Sequence, residues 1–190
     1  MKSIAVNGKK INYIHKPSNR KTVSAFINKD GLLEVRTPLY AGDEYVSEFI
    51  LANAVKILQL IDRSRIRAEY ENSLDDARIC FLRKAAEEVI PERVRHYSSI
   101  IGVKPASVKI NGAKTRFGSC SSRGNLNFSY RLMAYSAKAV DYVVIHELCH
   151  MLHMNHSGEF WNTVAVYMPD YNTAREELKK TPAFPDKHNL

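Results

Sequence analysis

The chain has 190 residues, 45% of them hydrophobic, which suits one globular unit with an ordinary core and leaves room for a small appended lobe. It contains no apolar run near the roughly 18 residues a membrane span needs, no long apolar core at its start, and three widely spaced cysteines (Cys80, Cys120, Cys149) that make no disulfide framework; a cytoplasmic protein without a membrane partner is expected. The formal net charge of +8 permits attraction to nucleic acid, nucleotides or acidic surfaces without requiring it, because the basic residues are scattered, with modest concentrations at Arg63, Arg65 and Arg67 and at Arg83 and Lys84.

Residues 1–40 read as β-rich. Segments 3–6 and 9–15 flank Asn7-Gly8, a pair suited to the positive φ angles of a type I′ hairpin turn. Segments 22–28 and 32–37 flank Lys29-Asp30-Gly31 in a second hairpin, closed by Pro38. Residues 43–68 then read as one helix, since Val46, Phe49, Ile50, Ala54, Ile57, Leu60 and Ile61 recur at three- and four-residue spacing. A second helix is expected over 74–101, with Phe81, Leu82, Ala85, Val89 and Val94 as its core stripe. Pro91 should restart or kink it, and Gly102 should end it.

Residues 106–130 return to β. Asn111-Gly112 predicts a third hairpin, between 107–110 and 113–119, and Ser121 to Gly124 turn the chain into a strand over 125–130. A helix over 137–154 follows, with Ser136 as its N-cap, then a short helix over 158–167 and another from near Tyr171 that stops before Pro182. Residues 181–190 carry two prolines and are expected to be a loose tail. This is an α+β pattern, with 1–40 as a β-rich part of the same unit that 41–180 complete.

The helix over 137–154 carries His146-Glu147-Leu148-Cys149-His150, and His156 follows, giving H-E-x-x-H-x5-H. Residues i and i+4 share a helix face, so His146 and His150 can aim two imidazoles at one zinc ion. Glu147 sits beside the pair, where the general base for a zinc-bound water belongs. On a straight helix His156 would point about 80° away from His146 and lie roughly 15 Å along the axis, so the chain must turn after His150 to bring it back. Asn155 tolerates the left-handed conformation that ends helices, and Ser157 can cap a helix beginning at Gly158. Three histidines and a water make an open, catalytic type of zinc site. His153 shares the face of the first two but is two turns from His146, so it is expected behind the ligands or partly exposed. Cys149 points elsewhere, as a small core residue.

A second polar cluster, Lys114-Thr115-Arg116-Phe117-Gly118-Ser119-Cys120-Ser121, should lie beside this helix; composition alone favours a solvated hairpin tip there, while its small residues would let a substrate backbone approach. This cluster, with Gly124 to Asn127, Val140 to Val144, His146 to His156, Ser157, Phe160 and Trp161, resembles the YgjP-like metallopeptidase-domain family, which is similar to the SprT and WLM zinc proteases. The resemblance is strong over about 100–178 and looser over 18–60. It implies a minimal zincin-like fold, with a small mixed sheet packed on the metal helix. It also implies His146, His150 and His156 as metal ligands and Glu147 as the catalytic glutamate. Phe117 stands where the family usually has Trp, and the segment 60–80 is short against many relatives.

Three functions are compatible with these features. The leading one is a Zn2+-dependent metallopeptidase acting on peptide or protein substrates, with Glu147 activating the zinc-bound water. Its transition state needs a further donor, for which Arg116, Tyr142, Tyr167 and Tyr171 are candidates. Lys114 is a further substrate-binding candidate, and an edge strand near 125–128 could take an extended peptide. Proteins similar to the family have also been described as UTP pyrophosphatases. Lys114 and Arg116 would suit a nucleoside triphosphate, although no Gly-rich phosphate loop is present. Third, the related proteases are linked to DNA–protein crosslinks, so recruitment to nucleic acid is a partner question layered on the first.

Overall fold

Asn7 and Gly8 set the first reversal: both have positive φ, 48° and 75°, as a type I′ turn requires. They join β1 (Lys2–Val6) to β2 (Lys9–Ser18), antiparallel, with Val6 opposite Lys9. β3 (Ser24–Ile27) and β4 (Leu33–Pro38) are likewise antiparallel. Their turn is held by Asn28, whose side-chain oxygen accepts from the amides of Asp30 (2.9 Å) and Leu32 (3.0 Å). β4 also pairs in parallel with β2, so the sheet order is β1-β2-β4-β3. The structure, a computed structural model, describes residues 1–182. It divides into two compact units, Met1–Asn72 and a second that begins at Ser73.

In the first unit Val6, Ile11, Tyr13, Leu33 and Val35 form a core with Val46 and Ile50 of α1 (Asp43–Ala52) and Ile57 of α2 (Ala54–Ser73). The single helix expected over 43–68 is therefore two. Asn53 separates them: its side-chain amide donates to the Phe49 carbonyl at 2.9 Å, and its backbone, at φ −111° and ψ 21°, leaves the helical region. An Asn side chain that competes for helical carbonyls is a local helix stop that apolar periodicity does not register.

The second unit opens on α3 (Asp76–Ile101), capped by Asp75, whose side chain accepts from the Arg78 amide at 2.8 Å, and closed by Gly102 at φ 79°. The helix is continuous through Pro91. Its buried stripe is Leu82, Ala86, Ile90, Val94 and Ile101, while Phe81 and Val89 face solvent. Two apolar stripes run side by side here, one residue apart, and packing selects between them.

β5 (Ser107–Asn111), β6 (Gly118–Cys120) and β7 (Asn125–Ser129) form a sheet of order β5-β7-β6. The hairpin expected across Asn111-Gly112 does not form, because β7 lies between its two arms, parallel to β5 and antiparallel to β6. Gly112 lacks the positive φ of a type I′ turn. Instead, the Asn111 side chain accepts from the Ala113 amide (2.9 Å), Arg131 donates to the Gly112 carbonyl (2.8 Å), and the Ser129 hydroxyl donates to the Ala113 carbonyl (2.7 Å). The bonds to Ser129, the last residue of β7, and to Arg131 just after it hold the two arms apart. The strand expected at an edge, 125–128, is consequently the central one.

A 3-10 turn, Tyr130–Ala134, leads to α4 (Ala137–Cys149), capped by the Ser136 hydroxyl at the Ala139 amide (3.2 Å). α5 (Gly158–Tyr167) and α6 (Tyr171–Leu178) follow. α4 is almost wholly buried, from Ala139 and Val140 to Leu148 and Cys149, in a core shared with α3, β7 and α5. The helix expected to reach residue 154 stops at Cys149. Among the described residues no helix is long and apolar enough to cross a membrane. Most of the tail expected over 181–190 lies outside the described residues.

Candidate metal centre

The last turn of α4 presents His146 and Glu147. His150 is the cap residue, still helical at φ −64° and ψ −20°, so it keeps the one-turn relation to His146 that two ligands to one ion need. The chain then leaves the helix. The turn uses Asn155 through its side chain, whose oxygen accepts from the Ser157 amide at 3.2 Å, rather than through the left-handed backbone expected of it. Ser157 caps α5 at the Phe160 amide (3.4 Å). The result returns His156 to the other two histidines.

One ligand nitrogen from each of His146, His150 and His156 lies within 4.8 Å of the others, and Nε2 of His146 and Nε2 of His156 are 3.1 Å apart. A tetrahedral ion with Zn–N bonds of about 2.0–2.1 Å wants its nitrogens about 3.3 Å apart, so the donor set fits such an ion. The opposite ring nitrogens are also served. His150 Nδ1 lies 3.1 Å from the His153 carbonyl oxygen, and His146 Nδ1 lies 3.5 Å from the Tyr142 hydroxyl. A bond at Nδ1 selects the tautomer that leaves Nε2 as a metal ligand. His153 thus stands behind the ligands through its backbone. Phe160, fully buried, touches all three histidine rings at centroid distances of 4.9, 4.5 and 4.9 Å.

Burial, reinforced by His150, His156 and Arg175, holds the His146 imidazole down to about 3, so the ring is neutral at physiological pH, as a ligand must be. Glu147 is buried, only 6% exposed. Burial pushes its carboxyl up to about 7, with the Arg116 guanidinium pulling the other way. Its carboxyl group rests on Gly118 of β6: a Cβ there would lie 2.5 Å from Glu147 Oε1 and 2.6 Å from its Cγ. No side chain fits at 118 with Glu147 in this place.

An open cleft of about 330 Å³ lies over the centre. The three histidines and Glu147 line it together with Arg116, with Gly118, Ser119 and Cys120 of β6, and with Met154. Of the sequence candidates, His146, Glu147, His150, His156 and Arg116 therefore meet at one place. Tyr142 is buried beside His146, and neither it nor Lys114, Tyr167 or Tyr171 lines the cleft. The structural parts played by Gly118 and Phe160 were not visible in spacing, because each acts on a residue from another element.

Solved structures similar to the chain include two metallopeptidase zymogens. One is the metallopeptidase zymogen abylysin of Pyrococcus abyssi, at 21% identity over 47% of this chain and 91% of that one, with a TM-score of 0.44. The other is the metallopeptidase zymogen jannalysin of Methanocaldococcus jannaschii, at 21% identity over 48% of this chain and 93% of that one, with a TM-score of 0.42. No curated protein matches. The model of the YgjP-like family, metallopeptidase domain, matches residues 67–181, a stretch that includes the histidine triad, Glu147 and Gly118. That match covers more than half of the chain, which belongs to the YgjP-like metallopeptidase family.

Proposed function

We propose that the chain is a zinc-dependent peptidase in which Glu147 is the general base and His146, His150 and His156 hold the ion. The observation that carries this reading is the meeting of three imidazole donors and one buried carboxyl in the lining of a single open cleft. Three imidazoles suit zinc, and the ion supplies Lewis-acid polarisation of a carbonyl and acidification of water. Glu147 takes the proton of the attacking water at its carboxylate and delivers it to the leaving amine. A carboxyl brought near neutrality by burial is matched to both halves of that task. Arg116, the one transition-state candidate from the sequence that lines the cleft, is the donor to the developing oxyanion.

β6 takes over the substrate-strand role expected of 125–128. It is an edge strand, paired with β7 alone, and its residues line the cleft. An extended peptide can pair with such an edge through main-chain hydrogen bonds. Hydrolysis of a nucleoside triphosphate is less well served, since of Lys114 and Arg116 only Arg116 lines the cleft. The test is Glu147→Gln. It should keep the metal content of the wild type and lower peptide hydrolysis by about 10²–10⁴-fold, the usual worth of a positioned base. Unchanged turnover would remove Glu147 from the role.

A further inference from the structure

The sequence contains one tryptophan, Trp161, in the first turn of α5. Its indole stacks on the His156 ring, with centroids 5.6 Å apart and planes inclined by 25°, and meets His146 at 5.8 Å. It also stacks on Tyr171 of α6 at 5.4 Å and 16°, and the Arg175 guanidinium lies 4.9 Å from the ring centroid. Tyr171 in turn stacks on Tyr142 of α4 at 6.2 Å and 13°, and the Tyr142 hydroxyl faces His146 Nδ1. The contacts begin and end at metal-ligand candidates, and they draw on α4, α5 and α6.

The three histidines are not held alike. His146 is set by the helix that carries it, and His150 by the His153 carbonyl. His156 sits on the loop before α5 and is exposed. A ligand side chain that is free to rotate gives up that freedom on binding, and affinity falls accordingly. Phe160 meets the His156 ring edge-on, and Trp161 offers it a face. Arg175 and Tyr171, on a different helix, keep the indole itself from turning.

We infer that Trp161 is a positioning residue of the metal centre, which orients His156 for the ion and is braced by Arg175 and Tyr171. This rests on the metal reading above, but it makes a separate demand on a residue that is neither ligand nor base. The experiment is zinc affinity by competition with a chromogenic chelator, on full-length wild type, Trp161→Phe and Trp161→Leu. Residues that orient ligands are commonly worth 10–100-fold in metal affinity, so Trp161→Leu should bind zinc about 10–100-fold more weakly, with Trp161→Phe recovering most of the loss. Equal affinity in Trp161→Leu and wild type would overturn the inference and leave the metal reading intact. Wild type that takes up no zinc would overturn both. If Trp161→Leu does not fold, Arg175→Gln replaces it: a loss of about threefold or more supports the inference and no loss overturns it.

The single indole supplies an independent readout. Cobalt(II) added to metal-free wild type should quench Trp161 emission with a break at one equivalent. Emission that ignores a bound equivalent of cobalt would overturn the contact between the indole and the centre.

Discussion

Glu147 can act as a base only if its carboxylate stays where Gly118 leaves room for it. A Cβ at 118 would sit 2.5–2.8 Å from three atoms of the Glu147 side chain, closer than any packing permits, and the buried carboxyl must then move. Gly118→Ala should therefore lower hydrolysis by about 10²-fold, the order expected when a catalytic group is misplaced by about an ångström. It should leave zinc content at the wild-type level, because the three atoms nearest the new methyl all belong to Glu147 and none to a histidine. Activity within about twofold of wild type would show that Glu147 tolerates the shift. The contrast with the histidines explains what a sequence exposes at this scale. His146, Glu147 and His150 are related by helical spacing, which any reader of the chain can measure. Gly118 and Trp161 owe their places to contacts across elements, and no spacing encodes them.

α4 carries His146 and Glu147, and it is fixed to α3 by more than apolar packing. Arg93 donates from Nε to Asp141 Oδ1 (2.6 Å) and from Nη2 to Oδ2 (2.5 Å), and the Tyr97 hydroxyl donates to Oδ2 (3.0 Å). A paired fork of this kind is stronger than neutral hydrogen bonds, though the Arg93 side chain is 36% exposed and the pair is partly screened. Asp141→Asn removes the charge and one acceptor, and should cost about 1–2 kcal/mol, below the full range for hydrogen bonds to charged groups. Urea unfolding checks it, and an unshifted midpoint would show the pair to be worth nothing net. The elements themselves were partly legible. The Asn7-Gly8 hairpin, the Ser136 and Ser157 caps and the Gly102 stop follow from local chemistry and appear as expected. Asn111-Gly112 carries the same local signal as Asn7-Gly8, yet Arg131 and Ser129 claim the carbonyls beside it and β7 enters between the strands. A long-range pairing overrode a turn propensity that was real but weak.

At the scale of the whole molecule, metal binding and stability should be linked. A ligand that binds the folded chain and not the unfolded one stabilises it by RT ln(1 + [L]/Kd), about 2.7 kcal/mol at a hundredfold excess over Kd. Among the described residues the one cluster of three metal-ligating side chains that close together is His146, His150 and His156, all within the unit that begins at Ser73. The binding energy therefore enters through the end of α4, the loop after it and the start of α5. Zinc added to metal-free protein should raise the thermal midpoint, and a chelator should reverse the shift. His156→Ala, which breaks the triad at its loop member, should lose most of it. Hydrogen exchange locates the effect: protection should rise most in peptides spanning 146–161, where a loop histidine is being fixed to a helix, and least in β1 to β4. A zinc-dependent midpoint that survives in His156→Ala would point to a different third ligand, for which Glu159, the one carboxylate on α5, is a candidate.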